Sequence, residues 1–314
     1  MKFSITIPTY KSRYLKEAIE SVVSQTYTDW ELIIVDDCSP EDLHYIVQPF
    51  LTDSRIRYYR NEKNCGAVNL VDNWNICLGY CTGDYVICMG DDDRLLPDCL
   101  TEYKALIEKY PELNVYHGQT EIIDEKGKVT EYLEKRPEWE DALSLMTRRW
   151  NVNKLNKQYI GDFCFRKLHL VSLGGYYTLP FAWGSDDVTA FRATLAAGIA
   201  NTKKEVFQYR ENSLSISLSH HDEEKAFAII SQQKWYHQTF QELLSQSHYS
   251  KESIFAAQRL MTHFTDSLIS YHIQNDLKEK GLKRYFYWWK QFHRNELSQY
   301  QLLKSFIATI IKKS

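Results

Sequence analysis

The chain has 314 residues, 44% hydrophobic and 25% charged, with a formal net charge of -3. Length and composition are those of an ordinary globular protein with one large domain or two smaller ones. The nearly balanced charge gives no global electrostatic case for nucleic-acid binding. No window approaches the roughly 18 uninterrupted apolar residues of a spanning helix. Met1 to Ile5 shows no basic-then-apolar leader. The seven cysteines include no CxxC pair, so neither a zinc site nor a disulfide framework is expected, and free buried thiols fit a reducing cytoplasm.

Residues 3–8 read as a first strand, closed by Pro8, which cannot donate to a sheet ladder; Thr9 and Tyr10 open a loop. Leu15, Ala18, Ile19, Val22 and Val23 recur at helical spacing and predict an amphipathic helix over 14–24. A second strand over 30–35 runs into Asp36 and Asp37. Ser39 as N-cap, Pro40 in the first turn and Asp42 as a capping-box-like partner predict the next helix. A third strand is expected over 56–59, a turn at Asn64, Cys65 and Gly66, and a helix over 67–78. Tyr85 to Met89 is a fourth, buried strand that leads into Asp91, Asp92 and Asp93.

This β-α-β-α-β-α-β order predicts an α/β fold with a doubly wound, mostly parallel sheet flanked by helices. Strands two and four both end in carboxylates, which places those side chains along the carboxyl-end crevice where nucleotides bind. Three adjacent carboxylates repel one another. Hard divalent cations, Mg²⁺ or Mn²⁺, prefer such oxygen donors and bridge them to a substrate diphosphate. No GxGxxG or GxxxxGK[ST] stretch occurs, which disfavours a Rossmann dinucleotide enzyme and a P-loop NTPase.

Beyond Asp93 the pattern predicts a helix over 97–110, a strand over 115–120 and a hairpin turn at 124–127. A polar and aromatic stretch over 139–156 holds a helix and a loop, residues 162–166 read as a strand, and Gly174 and Gly175 mark a turn. Trp183 to Asp187 leads into a further helix, and residues 206–209 form a last strand. From residue 221 onward the signal is helical, with a boundary near 215.

Ile7-Pro8-Thr9-Tyr10, Val35-Asp36-Asp37-Cys38-Ser39, the Asn75 to Gly83 spacing and Gly90-Asp91-Asp92-Asp93 resemble, in order and register, the family 2 glycosyltransferases over residues 3–210. The resemblance implies a GT-A domain over 1–215, with a nucleotide-sugar-binding half at 1–93 and an acceptor-binding half at 94–215. A smaller all-helical region follows over 216–314. It implies inverting transfer from a nucleotide-sugar donor, with a UDP-sugar suited by the base contact. Pro8, Thr9 and Tyr10 would line the nucleotide pocket, with Asp36 and Asn75 beside it. Asp37 would accept from the base, and Asp91 would approach the ribose. Asp92 and Asp93 would hold Mn²⁺ or Mg²⁺ against the diphosphate. Asp186 matches the catalytic base, because Arg192 follows at the family's spacing. The family often has Glu before the base where this chain has Ser185, so Asp187 is the alternate. A late histidine, His220 or His221, would complete the metal shell, and Trp183 would stack on the acceptor sugar.

The chemistry requires this division of labour. A single displacement at the anomeric carbon needs a carboxylate to take the acceptor's proton and a cation to stabilise the leaving diphosphate. The expectation is a cytoplasmic enzyme of surface-polysaccharide assembly acting on a saccharide or lipid-linked saccharide, with no nucleic-acid partner. The alternatives are a non-catalytic nucleotide-sugar or glycan-binding protein and a sugar nucleotidyltransferase. The latter needs a glycine-rich basic loop that Lys11-Ser12-Arg13 does not supply.

The C-terminal segment is basic and aromatic. Lys278, Lys280, Lys283, Arg284, Lys290, Arg294, Lys304, Lys312 and Lys313 interleave with Tyr285, Phe286, Tyr287, Trp288, Trp289 and Phe292. Leu302, Leu303, Phe306, Ile307, Ile310 and Ile311 then recur at helical spacing. Such helices suit a peripheral, non-spanning contact with the inner face of the cytoplasmic membrane. The other reading is packing on the catalytic domain or on a second subunit.

Overall fold

The computed structural model describes residues 1–151, 156–212, 221–246, 249–281, 283–294, 302, 303 and 307. The first half alternates strands and helices: β1 (Phe3–Thr9), α1 (Leu15–Val23), β2 (Trp30–Asp36), α2 (Leu43–Val47), β3 (Ile56–Arg60), α3 (Leu70–Tyr80) and β4 (Tyr85–Cys88). Then come β5 (Arg94–Leu95), α4 (Cys99–Lys109), β6 (Val115–Ile123), β7 (Val129–Tyr132), β8 (Trp139–Glu140), α5 (Ala142–Trp150), β9 (Phe163–Arg166), α6 (Lys167–Ser172), α7 (Ser185–Thr194) and β10 (Ile199–Arg210). The helices α8 (Asp222–Gln246), α9 (Lys251–Lys280) and α10 (Arg284–Arg294) follow.

Among the described residues the strands form one sheet in the order β3-β2-β1-β4-β9-β6-β10-β5. β1 pairs in parallel with both β2 and β4, and β2 with β3. β9 is antiparallel to β4 and β6, and β10 runs parallel to β6. This is the doubly wound, mostly parallel sheet that the strand-helix alternation predicts.

Residues alternate across the sheet with period two. Leu32 and Ile34 enter one apolar layer, with α1, α2 and α4, while Ile33 and Val35 enter the other, with α3, α5 and α7. Each such side chain, wholly removed from water, stabilises the fold by about 1.5–3 kcal/mol. The second layer also contains Ala228, Tyr236 and Phe240 of α8 and Ile254, Ala257 and Met261 of α9. The C-terminal helices therefore share a core with the sheet.

Two local expectations change. The helix after β2 starts at Leu43, and its N-cap is Asp42, which accepts the Tyr45 N–H at 3.2 Å. Ser39 instead accepts the Glu41 N–H at 3.1 Å and donates to the Tyr10 carbonyl at 2.8 Å, so it ties the loop after β1 to the loop after β2. The last strand is longer than expected because the polar run Asn201 to Glu205 conceals its start, and its pairing with β6 shifts register there. In the tail, Trp288 is fully buried against α8 and α9 and its Nε1 donates to Asp276 Oδ2 at 2.7 Å. Phe286 and Trp289 stay exposed. No described helix is long and apolar enough to cross a membrane.

Candidate active site

A cavity of about 970 Å³ opens at the carboxyl ends of β1, β2 and β4. Pro8, Tyr10, Asp37 and the 91–93 turn form one wall, and Trp183, Asp186 and Asp187 another. Gln232 of α8 with Phe264 and Leu268 of α9 also line it. The parallel pairing explains the first wall. Thr9 lies opposite Asp36, and Thr6 opposite Cys88, so the residues that follow all three strands leave the sheet on the same edge.

Asp37 is fixed at the cavity wall. Its Oδ1 accepts the Cys65 N–H and the Asn61 amide, both at 2.9 Å, and its carbonyl accepts Asn64 Nδ2 at 2.6 Å. The next residue, Cys38, takes a left-handed backbone with φ of 54°, a conformation that costs a non-glycine residue energy and concentrates at functional turns. Asp36 is fully buried and does not line the cavity. Its Oδ1 accepts the Ser39 N–H at 2.7 Å, and its Oδ2 accepts the Tyr58 hydroxyl at 2.7 Å and an N–H of Arg60.

The three consecutive carboxylates have different surroundings. Asp91 Oδ2 accepts the Thr9 hydroxyl at 3.0 Å and the N–H groups of Tyr10 and Lys11 at 2.8 and 2.9 Å, which shapes the loop after β1. Burial, then the charge of Asp92, raises its pKa. Asp93 Oδ1 accepts the Arg210 N–H at 3.0 Å, and Asp92 Oδ2 accepts Asn212 Nδ2 at 2.7 Å. Burial and the neighbouring Asp92 hold the Asp93 carboxyl well above the usual range.

Arg210 knits this turn to its surroundings. Its Nε donates to the Asp92 carbonyl at 2.8 Å, Nη1 to the Asp124 and Glu125 carbonyls at 3.2 Å, and Nη2 to Glu17 at 2.7 Å. The guanidinium lies 4.2 Å from the centre of the Tyr14 ring.

Gly90 reveals where the remaining oxygens point. A Cβ built there would lie 2.8 Å from Asp92 Oδ1 and 2.9 Å from Asp93 Oδ2. Two carboxylate oxygens thus converge on space that only glycine leaves open. Among the described residues no three His, Cys, Asp or Glu side chains gather as a closed cage. Two carboxylates completed by diphosphate oxygens and water are the usual donors of Mg²⁺-type sites, so these residues fit an open divalent site. His221 stacks on Phe181 at 4.3 Å and is not on the cavity wall. His220 lies outside the described residues.

The opposite wall carries Asp186 and Asp187 in the first turn of α7. Phe181 and Ala182 before them take left-handed φ values of 57° and 55°, and Gly184 one of 81°. Asp187 is clamped: Oδ1 accepts Arg149 Nε at 2.9 Å and Gln158 Nε2 at 2.7 Å, and Gln232 Nε2 lies 3.5 Å from Oδ2. Asp186 Oδ1 accepts only the Asp187 N–H, at 2.8 Å, among the hydrogen bonds of the described residues. Burial, then the charge of Asp187, pushes the Asp186 carboxyl up to about 8. A carboxylate with raised basicity facing a cavity suits a general base.

Trp183 lines the cavity with Lys225 Nζ 4.6 Å over its ring and His272 edge-on at 5.5 Å. Asn75 does not reach the cavity; its Oδ1 accepts the Tyr176 N–H at 2.8 Å and orders the Gly174-Gly175 turn. Sequence reading misses Arg149, Gln158, Gln232 and Arg210. Each acts on a carboxylate far from it along the chain, which leaves no local spacing to detect.

The model of the glycosyl transferase family 2 matches residues 4–167. "Putative glycosyltransferase EpsE" of Bacillus subtilis strain 168 is 33% identical over 129 residues, 40% of this chain and 45% of that protein. "Putative colanic acid biosynthesis glycosyl transferase WcaA" of Escherichia coli K12 is 42% identical over 105 residues, 32% of this chain and 36% of that protein. The matched stretch spans less than half the length of either relative. The crystal structure of S. aureus TarS 1-349 in complex with UDP-GlcNAc superposes with a TM-score of 0.68 at 17% identity, covering 98% of this chain and 81% of that one, and the shared fold is GT-A. With its family match spanning half of the sequence and its fold that of a GT-A enzyme, the chain belongs to glycosyl transferase family 2.

Proposed function

We propose that the chain is an inverting, metal-dependent glycosyltransferase that moves a sugar from a UDP-sugar to a hydroxyl group of a saccharide or lipid-linked saccharide in surface-polysaccharide assembly. The observation that carries this reading is the juxtaposition, in one cavity, of Asp37, the Asp92–Asp93 pair and Asp186. The UDP-GlcNAc held by the TarS relative supports the choice of base and diphosphate.

In this reading Asp37 accepts the imide N–H of the base, and Tyr10 and Pro8 pack beside the nucleoside. Asp92 and Asp93 would hold Mn²⁺ or Mg²⁺, which would supply positive charge toward a diphosphate. Asp186 takes the proton of the acceptor hydroxyl as it attacks the anomeric carbon from the face opposite the diphosphate. Arg149, Gln158 and Gln232 hold the Asp187 side chain still, so that Asp186 is held by the neighbouring N–H at the cavity wall. Trp183 offers an apolar ring face to the acceptor sugar. The exposed aromatic face of α10 makes a peripheral contact with anionic lipid.

A thermal-shift screen of nucleotide-sugars with and without Mn²⁺ tests the reading, because a donor that binds the native state raises the midpoint by mass action. A UDP-sugar should raise it with Mn²⁺ and lose that effect in EDTA. No shift with any nucleotide-sugar would sink it.

A further inference from the structure

Arg149 lies in the last turn of α5 and lines the cavity. Its Nε is taken by Asp187, and its guanidinium carbon sits 5.2 Å from the centre of the Phe264 ring. The side chain remains 25% exposed. Its two terminal nitrogens have no hydrogen-bond partner among the described residues. A guanidinium is a planar fork of five donors, and its terminal edge matches the paired oxygens of a phosphate or a carboxylate.

The setting makes this cation unusual. Among the described residues the charged lining is otherwise Asp37, Asp91, Asp92, Asp93, Asp186 and Asp187, with Lys11 beside Asp91. An anion entering so acidic a cavity is repelled unless a cation stands where it docks, whereas a neutral sugar needs none. The side of the reaction also follows. An in-line displacement puts nucleophile and leaving group on opposite faces of the anomeric carbon. Asp186 marks the nucleophile's face, and Arg149 holds the very next residue. Its free edge therefore belongs to the acceptor and not to the donor diphosphate.

We infer that Arg149 binds a phosphate or carboxylate group of the acceptor, so that the acceptor is an acidic saccharide or a phosphate-bearing glycan. This rests on the reading of Asp186 as the base.

The full chain, filled with UDP and Mg²⁺, is titrated with D-glucuronate, D-glucose, glycerol 3-phosphate and glycerol, and binding is read by ligand-observed NMR. At least one anion should bind in preference to its neutral counterpart, and which one does so separates carboxylate from phosphate recognition. Arg149→Gln should weaken that anion about tenfold or more, the loss expected for hydrogen bonds to a charged group, and weaken the neutral probes far less. Arg149→Lys keeps a cation beside buried Asp187, and with it the fold, but lacks the planar edge; its affinity should fall between the two. Equal binding of anions and neutral probes, or anion binding untouched by both substitutions, overturns the inference. Donor hydrolysis by Asp186→Asn is measured in parallel. Activity surviving there removes the base assignment, whereas the Arg149 result is read without turnover and is decided separately.

Discussion

The backbone N–H of Asp187 donates to Asp186 Oδ1 at 2.8 Å, which makes two adjacent carboxylates inequivalent. Asp187 is held by a guanidinium and two amides, while Asp186 faces the cavity with raised basicity. Asp186→Asn should preserve UDP affinity in calorimetry and lower the transfer rate by about 10²–10⁴, the range of general-base contributions. An active Asp186→Asn enzyme beside a dead Asp187→Asn enzyme would transfer the base assignment to Asp187.

The same pair sets a pH dependence. The base works only when deprotonated, and Asp186 has its carboxyl raised to about 8 by burial and by Asp187. The value of kcat/KM should therefore climb with pH through neutrality and level off on the alkaline side. Asp187→Asn removes the larger of the charge contributions that raise it, so its profile should move to lower pH. A profile already flat on the acid side of neutrality would contradict the assignment.

Much of the site follows from strand ends. Strands that run in parallel and finish in Asp37 and in Asp91–Asp93 must deliver those side chains to one edge, and an apolar run before acidic residues is readable from sequence. The clamp on Asp187 is not readable. Arg149, Gln158 and Gln232 lie 38, 29 and 45 residues from it in the chain, and tertiary packing alone brings them together. Asp36 and Asn75 show the opposite case. Their residue types suit a nucleotide pocket, yet the hydrogen bonds of Ser39, Tyr58 and Tyr176 turn them to structural work. Ser39 fails as a helix cap for a related reason, since the same short polar side chain serves turns as readily as helix starts.

Gly90 offers a test of the divalent site that leaves its carboxylates intact. A methyl group there would press on Asp92 Oδ1 and Asp93 Oδ2 at 2.8 and 2.9 Å. Gly90→Ala should weaken Mn²⁺-dependent UDP binding, though less than Asp92→Ala does, while metal-free UDP binding stays near its wild-type value. UDP affinity that is the same in Mn²⁺ and in EDTA for the wild type would remove the metal from Asp92 and Asp93.

At the opposite end of the sheet, Glu31 predicts acid sensitivity. Burial alone would raise its pKa, but the Ser4 hydroxyl, the Thr82 N–H and hydroxyl, and Lys2 outweigh it and bring the carboxyl down to about 2. A depressed carboxylate pKa contributes stability that is complete above the unfolded value of about 4.3 and disappears as pH falls through the folded one. Its contribution at neutral pH is about 3 kcal/mol. Urea midpoints of the wild type should fall between about pH 5 and 2, and Glu31→Gln should be less stable at neutrality with a shallower fall. Parallel pH curves for the two proteins would show that Glu31 does not control the transition.

The tail presents two faces. Trp288 packs inward, and Arg284 and Tyr287 bond to Glu223, so α10 is anchored to α8 and α9. Phe286 and Trp289 point outward, with 71% and 44% of their surface exposed, and Lys283 and Lys290 are exposed as well. Aromatic and basic side chains on one exposed face suit the boundary of an anionic bilayer, where each basic residue adds about 1 kcal/mol. The full chain should sediment with anionic vesicles at low salt and be released as salt rises. Phe286→Ser should weaken sedimentation with little effect on the thermal midpoint, because that side chain is 71% exposed. Truncation before α10 is the poorer test, since it would also remove Trp288 from the interior. If the full chain stays in the supernatant at low salt, α10 is a packing element and the membrane contact is discarded.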